Sequence, residues 1–331
     1  LPEGPCKSIQ FIPNRLNMKP DLDEYDTIIV AFSGGKDSTA CLLYLMEQGH
    51  KDKIELWHHL IDGAPGSPNL MDWPETEEYC RRFAEEFDIP LYFSWRNGGF
   101  QREMLRDEQS TAPVSWEQPG GTVGVSGGRG RKNTRLMFPQ VSADLRVRWC
   151  SAYLKIDVMS MAINNQERFN NSKTLIVTGE RAQESPNRSR YKKFEEHRCN
   201  APTKGRIVHH WRPIHYWDEA KVWSIMEHYK VNAHPAYWLG WGRLSCMTCI
   251  FGDADQWASA QHLYPNMVEN IARYEEQFGK TIKRNKSVRD LLNEGTRYLT
   301  ATKIPEEISI IEEGVWELPT GAMSGRDTGP I

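Results

Sequence analysis

An α/β fold built on a parallel, doubly wound sheet is predicted for this chain by three observations. Short apolar, β-branched runs recur through its first two thirds. Amphipathic stretches of helical length alternate with them, as crossover helices between parallel strands require. Glycines cluster where a strand run gives way to a helix, which is where an open sheet of this kind receives its ligand.

In chain order, residues 1–23 form an irregular leader, and residues 27–32 (TIIVAF) are a strand buried on both faces. Two glycines break it at 33–37, helical periodicity follows over 38–48, and Gly49 closes the segment. Residues 54–61 (IELWHHLI) are a second strand, followed by a Gly/Pro-rich loop, a helix over about 75–87 and a third strand at 90–94. Periodicity is lost over 97–145, and the glycine-rich basic portion at 120–135 predicts a mobile insertion or lid. A helix over 152–163 leads to a buried strand at 174–178, and 211–214 is the last short strand of the α/β unit, whose bounds are 24–239. Residues 240–331 are expected to be mainly helical, around a compact turn holding Cys246 and Cys249.

The 331 residues suffice for one large core, with or without a small subdomain. A formal net charge of -3 argues against a generic nucleic-acid coat while leaving room for local basic patches. No run of about 18 apolar residues occurs, so no membrane association is expected, and with no secretory signature at the N-terminus the protein is expected to be cytoplasmic. Seven cysteines in such a chain point to thiols, a metal or a cluster rather than a disulfide framework. Cys6, Cys41 and Cys80 are taken as structural.

Ser33-Gly34-Gly35-Lys36-Asp37-Ser38 lies between a strand and a helix. Glycines there let main-chain N–H groups turn toward a polyphosphate, and the helix directs its positive end at the same point. Lys36 can supply a cation, Ser33 and Ser38 hydroxyls, and Asp37 either a ligand to a phosphate-bound Mg2+ or a contact to an attacking group. Adjacent glycines and the Asp after Lys distinguish it from the ATPase loop.

With this loop the chain resembles the N-type ATP pyrophosphatase, or adenine nucleotide alpha-hydrolase, superfamily, whose signature is a strand-terminal SGGxDS. Trp73-Pro74-Glu75-Thr76, Arg148-Trp149-Cys150 with Lys155, Gly179-Glu180-Arg181 with Glu184-Ser185 and Arg188, and Arg212-Pro213-Ile214 with Trp217 follow in the order seen in phosphoadenylyl-sulfate reductase-like proteins. The resemblance covers about two thirds of the chain and implies a Rossmann-like fold that binds ATP with Mg2+. It also implies that Leu60, Ile61 and Asp62, leaving the second strand, receive adenine and ribose, with Asp62 either touching ribose or capping the next turn. Gly179, Arg181 and Arg188 follow the fourth strand; the arginines suit bidentate phosphate or sulfate binding, or else form a salt-bridged surface.

Cys246-x-x-Cys249 alone is ambiguous among zinc, an iron–sulfur cluster and a redox dithiol. The resemblance implies a [4Fe-4S] cluster on Cys150, Cys246 and Cys249, with Cys199 as a fourth candidate; Zn2+ and bare thiols stay open. The adjacent pairs His58-His59 and His209-His210 diverge on strands and are not expected to share a metal. Arg129, Arg131, Lys132 and Arg135, together with Arg190, Lys192, Lys193 and Arg198, are expected to form a rim that guides a polyanion, or else a solvated charged loop.

The expected activity is cleavage of the α–β phosphate bond of ATP, with Lys36, Asp37 and Arg181 catalytic, in sulfur transfer or nucleic-acid modification. Sulfonucleotide reduction is the alternative; by resemblance it calls for a nucleophilic Cys in a Glu-Cys-Gly tail, and no cysteine follows Cys249. A third reading is a catalytically silent nucleotide-binding accessory of a nucleic-acid-handling complex. The branch of reductase-like proteins carried by phages and mobile elements brings a nucleic-acid-modifying or defence complex and a homodimer into the expected partners.

Overall fold

The computed structural model describes residues 19–301, 317–319 and 322. Cys6, most of the expected leader and most of the chain beyond 301 lie outside the described residues.

Eight strands form one sheet in the order β5-β4-β3-β2-β1-β6-β8-β7. Its centre is parallel: β1 (Thr27–Ala31) pairs with β2 (Ile54–Leu60) and β6 (Lys173–Val177), β2 with β3 (Leu91–Arg96), and β6 with β8 (Ile207–Trp211). Ile28, Ile29 and Val30 are fully buried because helices cover both faces of the sheet, which is why TIIVAF shows no alternation. On one face α1 (Lys36–Glu47), α2 (Thr76–Glu86) and α6 (Glu219–His228) pack through Leu42, Phe83 and Val222 onto Ile28 and Val30. On the other, Ile163 of α5 (Asp157–Asn164) packs with Ile29, Trp57, Phe169 and Ile176.

The insertion expected at 97–145 holds regular structure in its first part. It opens with α3 (Gly99–Met104) and then extends the sheet by an antiparallel hairpin, β4 (Pro113–Gln118) and β5 (Thr122–Gly127). Val114 and Trp116 of β4 point inward, while β5 carries a glycine where a core residue would be expected. A Cβ at Gly124 would stand 2.5 Å from the Trp116 ring, so the glycine makes room for the indole and hides the strand from a pattern search. At the opposite edge, β7 (Phe194–Glu196) runs antiparallel to β8. The last parallel strand lies at Ile207–Trp211 rather than at 211–214, since the IVHHW run carries the ladder.

In the helical region expected beyond the Cys-containing turn, α8 (Ala254–Leu263) and α9 (Pro265–Phe278) are separate helices, because Pro265 lacks the N–H that a continuous helix needs. A one-turn helix α4 (Trp149–Ser151) runs through a π-turn at Ala152–Ile156 into α5. A third apolar cluster, with Ile61, Trp73, Trp149, Trp241, Trp257 and Ile271, joins the loops at the carboxyl ends of the strands to α8, α9, the short α7 (Pro235–Trp238) and α10 (Val288–Glu294). That cluster seats residues 237–250 over the phosphate loop. No described helix is long and apolar enough to cross a membrane.

Candidate active site

α1 begins at Gly35, which offers no side chain to cap it, so the first-turn N–H groups face the loop without a helical acceptor. Gly34 turns the chain at φ +76, and the loop is braced from within: Ser38 Oγ donates to the Gly35 carbonyl (2.9 Å) and accepts from Ser33 N (3.2 Å). Gly179, at the end of β6, must be small for a different reason. A Cβ there would meet the Asp37 backbone at 2.8 Å, so its lack of a side chain lets α1 start against β6.

Lys36 is 1% exposed, and its ammonium donates to the Gly242 carbonyl at 2.7 Å and pairs with Glu219 at 3.2 Å. Its main-chain N–H donates to Tyr237 Oη (2.9 Å), which also accepts from Leu244 N (3.3 Å). The loop is thus tied to the C-terminal segment as well as to the sheet. Arg181 Nε reaches Asp37 Oδ1 at 2.5 Å. Burial works against the Asp37 charge, but Lys36 and Arg181 outweigh it and hold the carboxyl below its ordinary range. Arg188 pairs with Glu184, and Arg243 reaches the same carboxylate at 3.0 Å. Four cations therefore surround the loop, each held by a carboxylate that an incoming phosphate can replace.

On the β2 side, Leu60, Ile61 and Asp62 line a cleft of about 290 Å3 with Gly63, Trp73 and Thr76. It adjoins the loop through α2, since the site of a Cβ on Gly34 lies 3.2 Å from Tyr79 and 3.3 Å from Cys80 Sγ. Asp62, Asp72, Glu77 and Glu78 also border it, which makes this end hostile to phosphate and suited to amino and hydroxyl donors. Asp62 caps the next turn: its carboxylate accepts from Met71 N (3.0 Å) and Asp72 N (2.9 Å). The Ile61 carbonyl is spent on Phe100 N at 2.8 Å, which leaves its N–H as the main-chain group for a base edge.

Cys150, Cys246 and Cys249 gather around Lys155, which the π-turn presents beside them. Lys155 keeps contact with solvent, yet protein crowds it enough for desolvation to oppose its charge; Cys246, Asp72 and the other two thiols more than offset this and raise its pKa. Burial pushes the Cys150 thiol up to about 11, with Cys249 adding to the shift, and pushes Cys246 well above the usual thiol range. Burial and then Asp62 bring Asp72 up to about 7. Among the described residues no three His, Cys, Asp or Glu side chains converge as metal ligands, so the thiols as placed do not form a ligand cage.

Cys199 does not join them. It packs beneath α5 with Ile29, Trp57 and Val208, its thiol 3.9 Å from the Ser160 carbonyl, apart from the apolar cluster at the carboxyl edge against which Cys150 and Cys246 pack. Residues 129–251 match the model of the phosphoadenosine phosphosulfate (PAPS) reductase domain. Over those residues the chain is similar to the PAPS reductase-like family of the adenine nucleotide alpha-hydrolase superfamily. The match takes in Cys150, Lys155, Arg181, Arg188, Arg243 and the Cys246–Cys249 turn, and starts downstream of the phosphate loop. A relative, an uncharacterized 37.8 kDa protein in the gpa 5' region of Escherichia phage 186, is 27% identical over 314 residues, 90% of this chain and 88% of its own length.

The fold brings together residues 33–38, 60–62, 179, 181 and 188 along one edge of the sheet, with Cys150, Cys246 and Cys249 beside them. It separates the two basic segments, which do not make one rim. Residues 129–132 follow β5 and residues 190–193 precede β7, at opposite ends of the same edge, seven strand spacings or roughly 34 Å apart. Arg135 leaves the rim altogether: its guanidinium lies 4.2 Å from the Trp149 ring and 3.4 Å from Glu103. Arg243, Tyr237, Glu219 and Asp72 were not found from sequence. The only signal for the first two was their nearness to the Cys-containing turn, and Glu219 and Asp72 had none.

Proposed function

We propose that this chain binds ATP with its base in the cleft at 60–62 and its phosphates on the loop at 33–38, and cleaves the α–β bond. The supporting observation is the polarity of the cleft, acidic at the β2 end and cationic at Lys36, Arg181, Arg188 and Arg243, which orients a nucleotide triphosphate one way only. An acceptor oxygen or water attacks the α-phosphorus and pyrophosphate leaves into the loop. There the Asp37 and Ser38 N–H groups of α1, the Lys36 ammonium and the arginines meet the charge that grows on the leaving group. Arg181 holds Asp37 in place, and Arg181 moves onto phosphate when the nucleotide arrives. Mg2+ needs only one or two protein carboxylates beside the phosphates. Asp37 would hold it, and the ion would add charge neutralisation at the bridging oxygen.

The test is calorimetry with Mg-ATP together with a product assay using ATP labelled at the γ-phosphate. Affinity for Mg-ATP and label in pyrophosphate are expected. Absence of binding, or label in orthophosphate alone, would refute the reading.

The domain match over 129–251, together with three thiols around Lys155, favours a second reading, sulfonucleotide reduction. The [4Fe-4S] cluster or Zn2+ expected at Cys150, Cys246 and Cys249 does not fit these thiols as placed, and no step is drawn through either. Sulfite formed from a sulfonucleotide and a dithiol would support that reading.

A further inference from the structure

We propose that the surface formed by Arg190, Tyr191, Lys192, Lys193, Tyr216 and Lys221, at the carboxyl edge beside β8, binds single-stranded nucleic acid and presents it to the nucleotide cleft. Two tyrosine rings stand open there, Tyr191 at 41% and Tyr216 at 61% exposure, while the other large rings among the described residues are buried or half-buried. Cations flank them: the Lys193 ammonium lies 5.9 Å from the centre of the Tyr216 ring, and the buried Arg212 backs Tyr191 at 5.0 Å.

Nearby carboxylates are already engaged. Glu195 is held by Arg212 at 2.7 Å, Glu219 by Lys36, and Asp218 caps α6 by accepting from Lys221 N. Among the described residues no carboxylate pairs with Arg190, Lys192, Lys193 or Lys221. Lys193 shows the consequence, since burial and then the neighbouring Lys19 and Lys221 lower its pKa. A cluster of cations that no carboxylate pairs, with Asp218 held at the cap of α6, interleaved with open rings, is what a phosphate backbone with unstacked bases satisfies. A duplex has no free base faces for the rings.

Position ties this surface to the chemistry. The neighbours of Tyr216 touch the loop's partner, because the His215 carbonyl accepts from Ala182 N at 2.8 Å and the Trp217 carbonyl from Arg181 at 3.5 Å. A nucleotide stacked on Tyr216 therefore lies beside the residue that holds Asp37. That the strand is the acceptor for the activated phosphate rests on the ATP reading; binding of the strand does not.

The test is fluorescence anisotropy of the full chain with labelled 12-nucleotide DNA and RNA single strands and the matching duplex, over a range of salt, with Mg-ATP calorimetry run alongside. Single strands of either sugar should bind more tightly than the duplex. Tyr191→Ala with Tyr216→Ala should weaken single-strand binding by roughly 30-fold or more while leaving the salt slope unchanged. Lys192→Ala with Lys193→Ala should flatten the slope of log K against log salt by about 1.4, at about 0.7 per phosphate contact. Equal affinity for the duplex, insensitivity to loss of both rings, or no binding of any strand at low salt would each overturn the proposal. Mg-ATP affinity that persists through such a failure would leave the ATP reading standing.

Discussion

Replacing Lys36 with Met removes one charge from the phosphate loop and keeps the bulk of the side chain. In the folded protein the ammonium donates to the Gly242 carbonyl at 2.7 Å and pairs with Glu219 at 3.2 Å. Loss of a charge-assisted hydrogen bond costs about 1.5–3 kcal/mol, but Glu219 is 31% exposed and can turn toward water, so the lower end applies, about 1–2 kcal/mol. That lowers Tm by a few degrees without unfolding a domain of this size. The rate should suffer far more. Loss of a preorganised cation facing a departing phosphate slows the chemical step by about 10²- to 10³-fold, or about 3–4 kcal/mol of barrier. Single-turnover release of labelled pyrophosphate, beside a thermal melt of the same preparation, separates the two effects. If Lys36→Met melts a few degrees lower yet releases pyrophosphate within twofold of the parent rate, Lys36 is a tie for the C-terminal segment and its assigned chemistry is wrong.

Tyr237→Phe removes the acceptor for both Lys36 N and Leu244 N and should cost about 2–4 kcal/mol, read as a lower denaturant midpoint; an unchanged midpoint would show that the segment over the loop is held by packing alone. Burial and then Asp62 raise the folded-state pKa of Asp72 to about 7, well above the ordinary aspartate range, so the folded protein retains a proton that the unfolded chain releases. Its contribution to stability therefore falls as pH rises from about 4 to 7, and Asp72→Asn should remove that slope and gain on the order of 2 kcal/mol at pH 8, allowing for solvent contact; parallel stability–pH curves for parent and variant would contradict this. Glu103 is fully buried among Arg102 (2.7 Å), Arg106 (3.3 Å) and Arg135 (3.4 Å), so Glu103→Gln leaves uncompensated guanidinium groups and should cost about 3–5 kcal/mol in a urea titration, whereas a loss under 1 kcal/mol would show that water already screens the cluster.

The legible parts of this protein are those in which neighbours in sequence are neighbours in space. A run buried on both faces, such as TIIVAF, announces a central parallel strand, and the loop that follows it has its chemistry within six residues. The hairpin at 113–127 was missed because Gly124 stands where Trp116 needs its space, a requirement set by the partner strand. The divergence of Cys199 from the other thiols was invisible for a similar reason: where the loop before β8 packs is settled by Ile29 and Trp57, residues far away in the chain.

By itself the sequence determined that a parallel α/β sheet carries a glycine turn leading into a helix at its first strand, because hydrophobic period, glycine placement and helix polarity are local properties. Only the tertiary structure decided what closes over that turn. Tyr237, Gly242 and Arg243 reach it because Trp73, Trp149, Trp241 and Trp257 bury one another at the carboxyl edge and carry the C-terminal segment with them. Burial of this kind is a sum over distant partners, and no window along the chain contains it.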